Sequence, residues 1–189
     1  LDALMNLDPR GYGVCRILYA GSRKATGEPL TMHAAQTLVD AIKPGDLVYI
    51  LTGFVLLPHK VPEMDGMVSS MLLARALVLA FGAKPIIVCP EDSVQAVKNC
   101  AAIVGLHIYE DIADVLELPM SMGVQRFTKD VSRAEDEADA LLAQGMPAAV
   151  ISIEAPGAND VGVYHNAGGM DVSVLEAKTD VLWAKLREL

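Results

Sequence analysis

Three short stretches of the chain gather residue types that carry out acid–base or ligand chemistry. Thr52-Gly53 is followed, after a loop, by Glu63-Met64-Asp65-Gly66. Two carboxylates beside a glycine at the start of a helix can hold a divalent cation through oxygen. They can hold a substrate ammonium, or one of them can act as a general base if its pKa is raised. The plainer reading is that Asp65 caps the helix and Glu63 faces water. Pro90-Glu91-Asp92-Ser93 reads as ordinary capping of the helix after it. The most distinctive stretch runs from Glu154 to Asp171 and contains four glycines, one proline and two asparagines. That composition makes an irregular loop. Glu154 ends a strand that reads as buried, where an unpaired carboxylate is costly. It therefore calls for a cation, an amine or several backbone N–H groups. Asp160, Tyr164, His165 and Asn166 add further polar groups, and His165 has an unperturbed pKa near neutrality.

The elements that position these stretches can be read from periodicity. The segment up to Lys43 reads as helix, with Asp8-Pro9 as a cap and first turn and a second helix over Thr31–Ile42. Asp46–Thr52 is a short, nearly continuous apolar run, as expected of a strand covered on both faces. Met67–Phe81 reads as a helix apolar almost all round and hence deeply buried. Strands are predicted at Lys84–Cys89, Leu106–Tyr109 and Ala148–Ile153. Helices are predicted from Asp92 to about Val104, from Ser132 to Gly145 with Ser132 and Glu135 at capping-box spacing, and over Asp180–Leu189. Glu110–Lys129 gives no clear pattern. Strands alternating with helices imply an α/β fold, a mostly parallel sheet with helices on both faces and a helical N-terminal segment. In such sheets ligands sit outside the carboxyl ends of the strands, which selects the segments after Thr52, Cys89 and Ile153.

Composition narrows the function classes. The 189 residues carry 15 basic and 24 acidic side chains, a formal net charge of −9, with no basic cluster to offset it. A binder of nucleic-acid backbone is disfavoured. The longest apolar run, Met71–Phe81, is broken by Arg75 and too short to span a bilayer. Cys15, Cys89 and Cys100 lack metal-type spacing, so a reducing, cytoplasmic setting is expected. There is no P-loop, dinucleotide fingerprint, nucleophile elbow or zinc motif. The chain begins at Leu1 and stops inside a predicted helix, so the expectation is one domain over residues 1–189, truncated from a longer parent.

Taken together, Leu4-Met5-Asn6-Leu7-Asp8-Pro9-Arg10-Gly11, Leu51-Thr52-Gly53-Phe54, Glu63-Met64-Asp65-Gly66 with Leu73-Ala74-Arg75-Ala76-Leu77, and Ser152-Ile153-Glu154-Ala155-Pro156-Gly157 with Gly162-Val163-Tyr164-His165-Asn166 resemble the D-glutamate cyclase-like family. The likeness runs in order over essentially the whole chain. Many family members carry an arginine where this chain has Ala155, and some carry one where it has Gly168, a natural clamp for a substrate carboxylate. The resemblance implies reversible dehydration of D-glutamate to 5-oxo-D-proline, or a related reaction on a small acid, with no cofactor needed for the chemistry. It implies Glu63 or Glu154 as base or ammonium holder, Asp65 with the other acid for positioning, and His165 or Tyr164 as proton donor. Thr52, Gly53, Gly66, Gly157, Tyr164 and Asn166 would line the substrate, the glycines letting backbone N–H groups approach an anion. Glu63, Asp65, Glu154 and Asp160 are hard oxygen donors that could hold Mn or Mg. The expected partner is a small acid or amino acid, with no nucleic acid and no membrane; a homo-oligomer is left open. Two other readings of the same residues are a metal-dependent hydrolase of a small phosphorylated substrate and a non-catalytic small-ligand binder.

Overall fold

In chain order the computed structural model runs α1 (Asp2–Met5), α2 (Val14–Thr26), α3 (Leu30–Ala41), β1 (Leu47–Leu51), β2 (Val55–Leu56), β3 (Val61–Pro62), α4 (Met64–Phe81), β4 (Lys84–Cys89), α5 (Glu91–Ile103), β5 (His107–Tyr109), α6 (Ile112–Glu117), β6 (Ser121–Arg126), α7 (Val131–Leu142), β7 (Ala149–Ser152) and α8 (Thr179–Glu188). The structure describes residues 1–9 and 11–188. The chain divides into two compact units, Leu1–Ile42 and Lys43–Leu189.

The first unit is helical and held by polar contacts. None of the residues of α2 or α3 is buried. The Asp2 carboxylate instead accepts from the backbone N–H groups of Leu30 and Thr31 at 2.7 and 2.9 Å and from the Thr31 and Tyr19 hydroxyls at 2.5 and 2.8 Å. It thereby satisfies the open N–H groups at the start of α3. The Thr31 bonds are the main reason its pKa lies far below the usual carboxylate range. Asp8 does not cap a helix at Pro9 as its sequence suggests; its Oδ2 accepts from Gly13 N, one residue before α2.

The second unit is built on a five-stranded parallel sheet in the order β5-β6-β4-β1-β7, flanked by helices. β1 is buried at every residue because it is central and covered on both faces. Its Tyr49 and Leu51 enter a core with Ile86 and Val88 of β4, Ala134 and Ala138 of α7, and Leu182 of α8. β1 lies between β4 and β7, and the parallel register brings the segments after Leu51, Cys89 and Ser152 to one edge.

Several elements differ from their sequence reading, each for a local reason. α4 starts at Met64, so Asp65 and Gly66 lie in its first turn. It is buried along one face through Met67, Met71, Ala74 and Leu77, while Met64, Val68, Leu72 and Leu79 are exposed. By length and composition, with mean hydropathy 1.5, this helix could cross a membrane; here its buried face belongs to the core. β6 and α6 fill the segment that gave no pattern. The sequence of β6 hides because Gly123 is needed for packing: a Cβ there would lie 2.5 Å from Ile86 Cδ1. α7 is capped by Asp130, which accepts from Ser132 N at 2.9 Å, rather than by Ser132 itself. A two-residue hairpin pair, β2 with β3, occupies the loop after β1.

Candidate functional site

The carboxyl edge of the sheet brings three of the predicted residues together. A Cβ built on Gly66 would lie 2.6 Å from Glu154 Cβ and 3.1 Å from Thr52 Oγ1. The first turn of α4 thus presses against the ends of β1 and β7, and only glycine allows the approach. Gly53 has φ +117, and a Cβ there would meet Pro90 Cδ at 2.5 Å, which packs the end of β1 against the start of α5. Backbone bonds tie the same place. Phe54 N donates to Glu154 O at 2.9 Å, and Glu63 N donates to Phe54 O at 2.8 Å. Glu154 itself holds φ +49, a left-handed conformation that costs a non-glycine residue on the order of 1 kcal/mol.

The environment of Glu154 corrects the argument made for it. β7 is an edge strand of intermediate burial ending at an exposed Ser152, and Glu154 is exposed. Asp65 is also exposed, and its Oδ1 accepts from the Gly66 N–H at 2.7 Å. Glu63 is half-buried and stands one residue before α4.

A buried carboxylate does exist at this edge, but it is Glu176. Its side chain is fully buried, Oε1 accepts from Val55 N at 3.1 Å, and Oε2 has no hydrogen-bond partner. Burial raises its pKa to about 7, against smaller downward pulls from the Val55 bond, Lys129 and Lys178 and a small upward push from Asp92. Two hydroxyls of the same neighbourhood, Thr52 Oγ1 and Ser93 Oγ, are likewise buried without a partner. Thr52 is 2% exposed and Ser93 0%, and Ser93 Oγ stands 3.2 Å from the Cβ position of Gly53. Native proteins leave few such atoms unpaired, so each of the three calls for a donor, an ordered water included.

The loop from Glu154 to Asp171 uses its polar side chains on itself. Asn159 Oδ1 accepts from Val161 N and Val163 N, both at 3.0 Å. Asn166 Oδ1 accepts from Gly168 N at 2.9 Å and Met170 N at 3.0 Å. Tyr164 is buried, donates its hydroxyl to Asp180 Oδ1 at 2.5 Å, and lies beneath the Lys178 ammonium, 3.9 Å from its ring centroid. Burial first, then the Asp180 bond, raise its pKa strongly, so its hydroxyl keeps its proton. His165 is exposed, and its backbone forms an isolated antiparallel bridge with that of Asp171, whose carboxyl is held below its ordinary range mainly by Ser173. Asp160 is exposed in a turn. Gly157 stands 3.6 Å, at its Cβ position, from Asp180 Cβ and lines a small apolar cleft of about 300 Å³ with Ala155, Pro156 and Trp183.

Among the described residues, no three His, Cys, Asp or Glu side chains come together as a metal-holding group. The four oxygen donors named from the sequence are therefore not assembled into one. A groove of about 580 Å³ runs beside α7 past Arg126, Lys129, Arg133 and Glu137. Its charges neutralise one another: Arg126 meets Glu91 at 3.3 Å, Lys129 meets Asp92 at 2.8 Å and Arg133 meets Glu137 at 2.8 Å. The carboxyl edge, with its unpaired buried atoms, is the better candidate.

Glu176 is not among the residues the sequence singles out, and Ser93 reads there only as helix capping. The available signal was an acid set between Leu175 and Ala177, apolar neighbours just ahead of the last helix. A family model described as D-glutamate cyclase-like, C-terminal, matches residues 1–189, the whole chain. No curated protein matches it.

Proposed function

The chain belongs to the D-glutamate cyclase-like family, and from that membership we propose that it is a lyase that cyclises D-glutamate, or a closely related small acid, to a lactam. The reading rests on the whole-chain family match, and the meeting of Thr52, Gly66 and Glu154 supports it. In the reaction the α-nitrogen attacks the side-chain carboxyl carbon. A carbon–nitrogen bond forms, a carbon–oxygen bond breaks, and the two protons lost from nitrogen leave with that oxygen as water. No electrons change hands, so side chains suffice. Glu154, exposed at the end of β7, takes a proton from nitrogen and returns it to the departing oxygen, as general base and then acid. The first turn of α4 offers its remaining backbone N–H groups to the oxyanion, the Gly66 N–H being taken by Asp65 Oδ1, while Asp65 and Glu63 position the substrate. Gly66 lets those groups and Glu154 reach one substrate. Holding the chain bent converts a floppy encounter into a positioned one.

The test is a chirally resolved assay of D- and L-glutamate against 5-oxoproline, with manganese and with chelator. Lactam from the D-isomer alone, lost about 10²-fold or more in Glu154→Gln, is the expected result. A folded protein that turns over neither isomer under either condition overturns the lyase reading.

A further inference from the structure

We infer that Glu176, together with the hydroxyls of Thr52 and Ser93, forms a receptor for the primary ammonium group of a small amino acid. This deepens the reading of the carboxyl edge as a site for a small amino acid and rests on it. Among the described residues, Thr52 Oγ1, Ser93 Oγ and Glu176 Oε2 are the side-chain oxygens buried without a partner. They are strung along one segment, Thr52 to Val55. Thr52 Oγ1 and Ser93 Oγ stand beside the positions where Gly66 and Gly53 would carry a Cβ, at 3.1 and 3.2 Å. Glu176 is bonded to Val55 N, three residues after Thr52.

All three atoms are oxygens that can accept, and one is a carboxylate oxygen. A primary ammonium brings three N–H donors and a positive charge, so it matches the set in number and in sign. A buried carboxylate needs a cationic or donor partner, and the nearby lysines are engaged elsewhere. Lys129 Nζ pairs with Asp92 Oδ2 at 2.8 Å. Lys178 Nζ donates to Ser173 O at 2.5 Å and lies on the Tyr164 ring. The exposed acids Asp65 and Glu154 are solvated and discriminate an amine from water poorly. None of the three oxygens touches solvent, so binding is coupled to a shift of a neighbouring segment, and Val55 is the one bonded to Glu176.

The experiment compares affinities by calorimetry for two ligand pairs that differ in the amine, D-glutamate against glutarate and 4-aminobutyrate against butyrate. Wild type is expected to favour the amine-bearing member of at least one pair tenfold or more. Glu176→Gln keeps the acceptor for Val55 N, removes the charge, and is expected to bring that pair within about twofold. Ser93→Ala, a milder change, is expected to weaken the amine-bearing ligand several-fold and leave its partner unchanged. Wild type that fails to discriminate in both pairs, or a Glu176→Gln variant that discriminates as well as wild type, overturns the assignment. Failure of the lyase reading is seen separately. Amine selectivity without lactam formation overturns only the lyase, and lactam formation indifferent to Glu176 overturns only the receptor.

Discussion

The loop from Glu154 to Asp171 and the floor beneath the carboxyl edge hold opposite balances of polar groups. The loop is rich in Asn, Asp, Tyr and His, yet its asparagine oxygens are occupied by their own backbone and Tyr164 is tied to Asp180. The floor is lined by apolar strands, yet it carries three buried oxygens with no partner. A polar side chain in a loop is cheap, because water or the loop backbone satisfies it. A polar atom in the floor is expensive unless something meets it. Unmet hydrogen-bonding capacity, rather than polar content, is therefore why we propose the floor, and not the loop, as the place that takes the ligand.

The largest expected effect tests the floor through Glu176. Its carboxyl ionises near 4.5 when unburied and near about 7 in the fold. Between those values the folded chain keeps a proton that the unfolded chain has lost, so stability falls as pH rises through that window and is flat above it. The shift corresponds to as much as ~3 kcal/mol lost by wild type on the alkaline side. Glu176→Gln cannot ionise. It should match wild type near about pH 5 and melt at a higher temperature than wild type near about pH 8. Lys129, Lys178 and Asp92 face the same group, and a parallel pH profile for the two proteins would mean that they, not burial, set its charge. The comparison of loop and floor would then lose its main support.

Next in size is Gly66→Ala, which tests whether the edge is as tightly drawn as the floor is closed. The added Cβ meets Glu154 Cβ at 2.6 Å, a clash with an atom fixed to the backbone. A loss of about 2 kcal/mol is expected in chemical denaturation, together with loss of any turnover. A variant as stable and active as wild type would show that α4 and β7 can move apart, and that Gly66 does not set the site.

Most of the frame was legible in the sequence. β1 and β4 show as apolar runs because they are central and covered; α5 and α7 show through periodicity and stops. β6 was not legible, since Gly123 and the polar residues around it break the pattern for a packing reason seen only across the sheet. The site divides the same way. The sheet rule points to the segments after Thr52 and Ile153, the family resemblance implies Thr52, Gly66 and Glu154 within or beside them, and the fold brings these three together. Burial, the reason offered for Glu154, does not hold for it, because strand order is not written in the sequence and β7 falls at the edge; the buried acid is Glu176. Asn166 and Tyr164 drew attention by type, and type does not say who already holds the hydrogen bond.

The smallest effect, at Asn166, sharpens the loop side. Its Oδ1 serves Gly168 N and Met170 N, and its own N–H donates to Met170 O at 3.0 Å, closing a short turn. Asn166→Ala strands two N–H groups at an exposed place where water recovers part of the loss. By analogy with a helix cap the cost is about 1 kcal/mol. Asn166→Asp keeps the acceptor oxygen and should restore most of that stability. A residue that instead contacts ligand through its amide N–H groups behaves differently: aspartate would restore folding but not binding. Denaturation curves and D-glutamate affinity measured on both variants separate the cases. A tenfold loss of affinity in Asn166→Asp at full stability would move the loop from scaffold to binding surface. Unchanged affinity would leave the recognition to the floor, where the unpaired oxygens are.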